Sequence, residues 1–181
     1  MENKHLLKKL MSPVSFIILG ALARLIPHVP NFTPVAALAL FGGYSLNKKQ
    51  AFFIPLLIMF VSDLFIGFDS LPMRIFIYGS FLLTVLIGRL LKNKINYKNI
   101  ILASFASSIL FFVITNFAVW MFTPLYLKTF DGLVNCFIMA LPFFRNTFLG
   151  DLFYTAAIFG SYNLANIKSE VINYDRLRRK N

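Results

Sequence analysis

The charges of this chain stand in short clusters between long apolar runs and rarely inside them. The runs cover residues 13–26, 35–46, 51–68, 73–91, 100–122 and 133–164. In hydrocarbon every backbone N–H and C=O must find a partner without water, so segments this apolar cross a membrane only as helices or as strands of a closed barrel. The apolar/polar alternation that a barrel strand needs is missing. Composition agrees. Hydrophobic residues make up 58% and charged residues 14%, against about 45–50% and about 25% in a soluble domain. A disordered chain, a nucleic-acid-binding arm and an ordinary soluble enzyme are excluded. At about 20 residues per crossing, the 181 residues accommodate six spans with about 60 left for loops and tails. The expected fold is all-α, a polytopic membrane helix bundle of six transmembrane helices forming one domain over 1–181, with the lipid bilayer as its first partner.

The last run is too long for one simple span. Pro142 divides it, because a proline inside a helical pattern ends or kinks the helix. The sequence therefore predicts a short surface helix over 133–141, opened by Asp131-Gly132, and a sixth span over 143–164. Loop charge sets the orientation. With a cytoplasmic N-terminus the inside segments hold thirteen cations: Lys4, Lys8, Lys9, Lys48, Lys49, Lys92, Lys94, Lys98, Lys168, Arg176, Arg178, Arg179 and Lys180. The outside loops hold Lys128, with Arg74 at a boundary. The positive-inside rule then places both termini in the cytoplasm. A rival reading takes Lys8-Lys9, the apolar stretch 14–22 and Ala21-Leu22-Ala23 as a cleaved signal peptide, leaving five spans and an outside N-terminus. Arg24 directly after that point, followed by Pro27 and Pro30, reads better as a functional turn than as a mature N-terminus.

In that topology the polar residues of the spans share one depth, the outer third. Arg24 closes the first span, and the loop after it carries His28 and Asn31 between Pro27, Pro30 and Pro34. Asp63 lies in the third span, Asn116 and Trp120 in the fifth, and Arg145, Asn146 and Asp151 in the sixth, while the inner halves are almost purely apolar. A charge at the centre of a spanning helix costs about 2.5–3.5 kcal/mol, so such residues face the bundle interior or a wet cavity. Two readings follow. In the first, these nine residues line an outward-facing polar pocket for a small solute, and Asp63→Asn or Arg145→Gln weakens binding. In the second, Arg24 and Arg145 pair with Asp63 and Asp151 as two structural locks of a non-transport membrane or assembly protein. The pairs Ala39/Gly43, Ala103/Ser107 and Ser104/Ser108 have the small-xxx-small spacing that lets helices approach closely, within the bundle or against a partner.

Signatures of chemistry are lacking. A single cysteine, Cys136, excludes a disulfide framework and a cysteine-based metal site, and His5 and His28 show no ligand spacing. There is no H-E-x-x-H, no G-x-S-x-G and no phosphate-binding G-x-x-x-x-G-K-[ST]. The chain is expected to be no enzyme, to carry no metal or cofactor, to bind no nucleic acid and to have no ATPase of its own. Inverted repeats and midplane helix breaks, common in ion-coupled carriers, are missing too.

Five strings carry a resemblance: Arg24-Leu-Ile-Pro-His28, Asn31-Phe-Thr-Pro-Val-Ala-Ala-Leu-Ala-Leu-Phe-Gly-Gly43, Ser62-Asp63-Leu64, Thr115-Asn116-Phe117 and Ala140-Leu-Pro-Phe-Phe-Arg-Asn-Thr-Phe-Leu-Gly-Asp151. Over about residues 20–160 the chain resembles a family of small, uncharacterised bacterial membrane proteins. That family in turn resembles the substrate-binding (S) components of energy-coupling-factor vitamin transporters, six-helix proteins that capture a vitamin on the outer side. The resemblance implies a multi-pass protein of the bacterial plasma (inner) membrane, a vitamin-like solute, and docking on a transmembrane coupling protein with two ATPases. One departure stands out. S components often carry Ala-x-x-x-Ala on the inner side of the first span, where this chain reads Ser12-Pro-Val-Ser-Phe-Ile-Ile.

Overall fold

Caps and breakers set the helix boundaries. Asn47 and Asn96 act as N-caps, their side chains accepting from the backbone N–H of Gln50 at 2.9 Å and of Asn99 at 2.8 Å. Such a cap is worth about 1 kcal/mol against alanine. The third helix stops at Gly67, whose φ of 105° suits glycine. In the computed structural model, which describes residues 13–178 and side chains over 15–164, six α-helices follow one another: α1 Pro13–Leu25, α2 Val35–Ser45, α3 Lys48–Ile66, α4 Leu71–Leu90, α5 Tyr97–Phe122 and α6 Phe130–Arg178. A short 3-10 turn, Leu91–Asn93, leads from α4 towards α5. The expected all-α architecture is present, and the predicted edges of α2 to α5 fall within three residues of the observed ones. The basic head (Lys4, Lys8, Lys9), with it the basic part of the signal-peptide reading, and the side chains of Lys168 and Arg176 to Lys180 lie outside the described residues.

Pro142 does not divide the last stretch. α6 runs through it as one helix, so the predicted break between 133–141 and 143–164 is corrected. A proline removes one backbone donor, and in apolar segments neighbouring groups and small local adjustments absorb that loss. Length separates the six elements. α3, α4 with its 3-10 turn, α5 and the Phe130–Leu164 part of α6 are long and apolar enough to cross a membrane. At about 1.5 Å per residue, α1 and α2 reach about 20 and 17 Å, short of a hydrocarbon core of about 30 Å. Only 22–39% of each long window is buried within the protein. Exposed Phe53, Phe65, Leu102 and Phe153 suit a lipid surround, as expected of a membrane protein.

α2 occupies the centre. Every residue from Val35 to Gly43 is buried, and α2 packs against all five other helices. A helix apolar on every side has no solvent face to present, and its small residues let neighbours come close. A Cβ on Gly88 would lie 2.0 Å from the carbonyl oxygen of Leu40, and one on Gly43 would lie 2.2 Å from that of Val85, so α2 and α4 touch backbone to backbone. The three small-residue pairs thus pack inside the bundle. Ala39 meets Val85, while Ser104 and Ser108 face Thr155 and Asp151 of α6. In the same half of α2, Phe41 is ringed by Phe16, Phe159 and Tyr162, with centroids 5.1–5.8 Å away in edge-on geometry.

Candidate functional site

The connection between α1 and α2 is a built turn. Pro30 fixes one backbone angle, Asn31 adopts a φ of 65°, and Phe32 N–H donates to the carbonyl of Val29 at 3.1 Å. Proline followed by a residue in the left-handed region is the pattern of a tight turn, and asparagine tolerates that region better than most residues. The turn is pinned to α6. Phe32 packs over Gly150, where a Cβ would lie 3.1 Å from its Cα, and its ring meets Phe153 and Tyr154. Asn31 is thereby held over the bundle end where α1 and α3 finish and α2 and α4 begin.

Beneath it lie two adjoining cavities. The larger, of about 470 Å³, is bounded by Arg24, His28, Asn31, Thr33, Asp69, Thr147 and Asp151, with Ala36, Met59, Ile77, Phe81 and Phe111 among its apolar walls. The smaller, of about 200 Å³, contains Thr115 and Asn116. Asn31, Ile77, Phe111 and Thr147 border both. The larger volume lies within the usual range of about 300–1,000 Å³ for small-molecule sites, and its mix of apolar walls with a few polar groups is the usual composition.

Beside the larger cavity stands a polar knot. Arg24 Nη1 donates to Asp63 Oδ1 at 2.6 Å and also contacts Ser62 Oγ; Tyr78 OH donates to Asp63 Oδ2 at 2.6 Å. The Arg24 side chain is 18% exposed and that of Asp63 7%. One of the two expected ion pairs therefore exists, and it is the only one among the described residues. The other does not form. Asp151 is buried on the cavity wall, where Ser108 Oγ donates to its Oδ2 at 2.7 Å. Arg145 is exposed and borders neither cavity. The reason is helical geometry: six residues along a helix amount to about 600°, which puts Arg145 and Asp151 on different faces.

The nine predicted residues thus separate. Arg24, His28, Asn31, Asn116 and Asp151 border the cavities, and Asp63 sits behind Arg24. Trp120 does not; its Nε1 donates to the carbonyl of Leu127 at 2.9 Å and ties down the α5–α6 connection. Asn146 is half-buried on α6 and borders neither cavity. Arg145→Gln is accordingly expected to leave both thermal stability and solute binding unchanged; a loss of binding in a calorimetric titration would return Arg145 to the site. Sequence reasoning missed Thr147, Tyr78 and Ser108. Thr147 was readable, since it precedes Asp151 by one helical turn and shares its face. Tyr78 and Ser108 are partners across helices, which spacing within one helix cannot reveal. The middle turns of the helices are also less apolar than expected. Ser80, Thr84, Ser107 and Ser108 are buried and bond to carbonyls of their own helices, which makes neutral hydroxyls inexpensive to bury. Among the described residues no group of three or more metal-ligating side chains occurs.

The sequence model of a family of unknown function, DUF6580, matches residues 4–173. No curated protein and no solved structure matches the chain.

Proposed function

We propose that this chain, which belongs to the DUF6580 family of unknown function, is a membrane-embedded solute-capture subunit of an importer, similar in role to an S component. It binds a small vitamin-like solute in an outward-facing polar pocket. The observation that carries this reading is the pair of adjoining cavities under the Asn31 turn, which combine apolar side chains with a few polar groups. The orientation follows from charge: Lys48, Lys49, Arg89, Lys92 and Lys94 gather at the end opposite the cavities, where Lys92 Nζ donates to the carbonyl of Leu46. Under the positive-inside rule that end is cytoplasmic and the cavities open outward. All six helices then lie in the bacterial inner membrane, with both termini inside and α1 and α2 completing the bundle as short spans. Energy would come from a separate coupling protein with ATPases docked on the cytoplasmic side.

A second reading has its own observation. The Arg24–Asp63–Tyr78 knot favours a structural duty for those three residues, and a membrane structural or assembly protein would need nothing more. A native mass spectrum of the protein purified in mild detergent separates the two. The expected result is a stoichiometric small solute on the intact chain, and a co-purifying coupling protein would extend it. A chain that carries only lipid, and gains no mass on incubation with a cell extract's small-molecule fraction, would sink the capture reading.

A further inference from the structure

Asp151 is an acid that the protein leaves incompletely paired at a cavity wall. It is 3% exposed. Its Oδ2 lies 2.7 Å from Ser108 Oγ, and its Oδ1 has no partner among the described residues. Ser108 has one hydrogen to give, and the carbonyl of Ser104, at 3.1 Å, competes for it. No cation compensates the carboxylate. Arg24 is engaged by Asp63 and Ser62. His28 sits at the rim with Nδ1 2.6 Å from the carbonyl of Ile26. Asp69, also at the rim, adds a second unpaired carboxylate; Arg74 donates to its backbone carbonyl at 3.2 Å and lies over the Phe68 ring. Arg24 and Asp63 cancel, so the larger cavity holds an excess of negative charge. Burying a carboxylate without a counter-charge is costly, and the missing partner can come from the cavity itself. Phe81 and Phe111, in the wall of the same cavity, stand 5.3 Å apart at 37°, and ring faces attract cations as well as apolar bodies.

We infer that the solute of the larger cavity is a small organic cation, its charged nitrogen against the Asp151 carboxylate and its apolar body against Phe81 and Phe111. This rests on the capture reading and narrows it to a substrate class. An anion would meet Asp151 directly.

Benzylamine, benzyl alcohol and benzoate share a ring and differ in charge, so they test the inference on the full chain in mild detergent. Benzylamine is expected to raise the thermal midpoint by about 3–6 °C at ten times its Kd, while the other two leave it unmoved. Asp151→Asn is expected to abolish the shift and Asp151→Glu to keep part of it. A benzoate shift as large as that of benzylamine, or a benzylamine shift that survives Asp151→Asn, overturns the inference. The comparison of the three probes on the unaltered chain does so even where the variant fails to fold. The native mass spectrum separates the two levels. A captured anionic solute removes the cation and leaves capture standing; no captured solute and no benzylamine shift removes both.

Discussion

Asp63→Ala is expected to destabilise the protein by about 3–5 kcal/mol, the usual cost of removing one partner from a buried ion pair. The loss has two parts. Arg24 Nη1 would keep Ser62 but lose the carboxylate at 2.6 Å, and Tyr78 OH would lose its acceptor. Both lie at a helix junction, Arg24 at the end of α1 and Tyr78 in the first half of α4, so the loss loosens three helices at once. The double change Arg24→Leu with Asp63→Leu is expected to recover most of the stability, because a buried pair replaced by apolar side chains of similar size is often neutral or better. Thermal unfolding of the three proteins in one detergent measures this. If the double variant is no more stable than Asp63→Ala, the two side chains do not act as a pair. The same variants report on function, since a structural knot predicts lost stability with solute binding intact in the double variant.

Gly88→Ala should be nearly as damaging, for a steric reason. The added carbon would lie 2.0 Å from the Leu40 carbonyl oxygen, 2.9 Å from the carbonyl carbon and 3.1 Å from its Cα. All three are backbone atoms, so no rotamer change relieves the clash, and α4 must move away from α2. Overpacking of this kind costs typically about 1–3 kcal/mol, and a main-chain clash falls at or above the top of that range. Gly79, on the same helix, faces open space. Gly79→Ala is the control and should stay within about 1 kcal/mol of the parent. Equal stability of the two variants would show that α2 and α4 do not meet through their backbones.

The fold was legible where one physical force dominates. Apolar runs without alternation left helices as the outcome, and α2 to α5 appeared near the predicted positions because the runs themselves set them; Asn47 and Gly67 then fix the ends of α3, and Asn96 the start of α5, by local chemistry. That α6 would run through Pro142 was not to be had from the sequence alone. Whether a proline ends a helix or is carried through it depends on the groups packed around it, and those come from distant segments. The same limit governs the site. Arg24, His28, Asn31, Asn116 and Asp151 could be named because polar groups in apolar helices are few and costly. That Arg24 would take Asp63 while Asp151 took Ser108 depends on which helix faces touch. Charge balance suggested two pairs, and geometry allowed one. Trp120 and Arg145 stand on the helices that build the site without bordering its cavities.

α2 has a place in time as well as in space. Residues 35–43 are synthesised before any residue of α4, and the glycine that receives Leu40 is made 48 positions after it. An 11-residue helix is too short to settle across a bilayer on its own. The centre of this protein is therefore made early and finished late. Until α4 is made, Leu40 and Gly43 lack the backbone surface that closes over them.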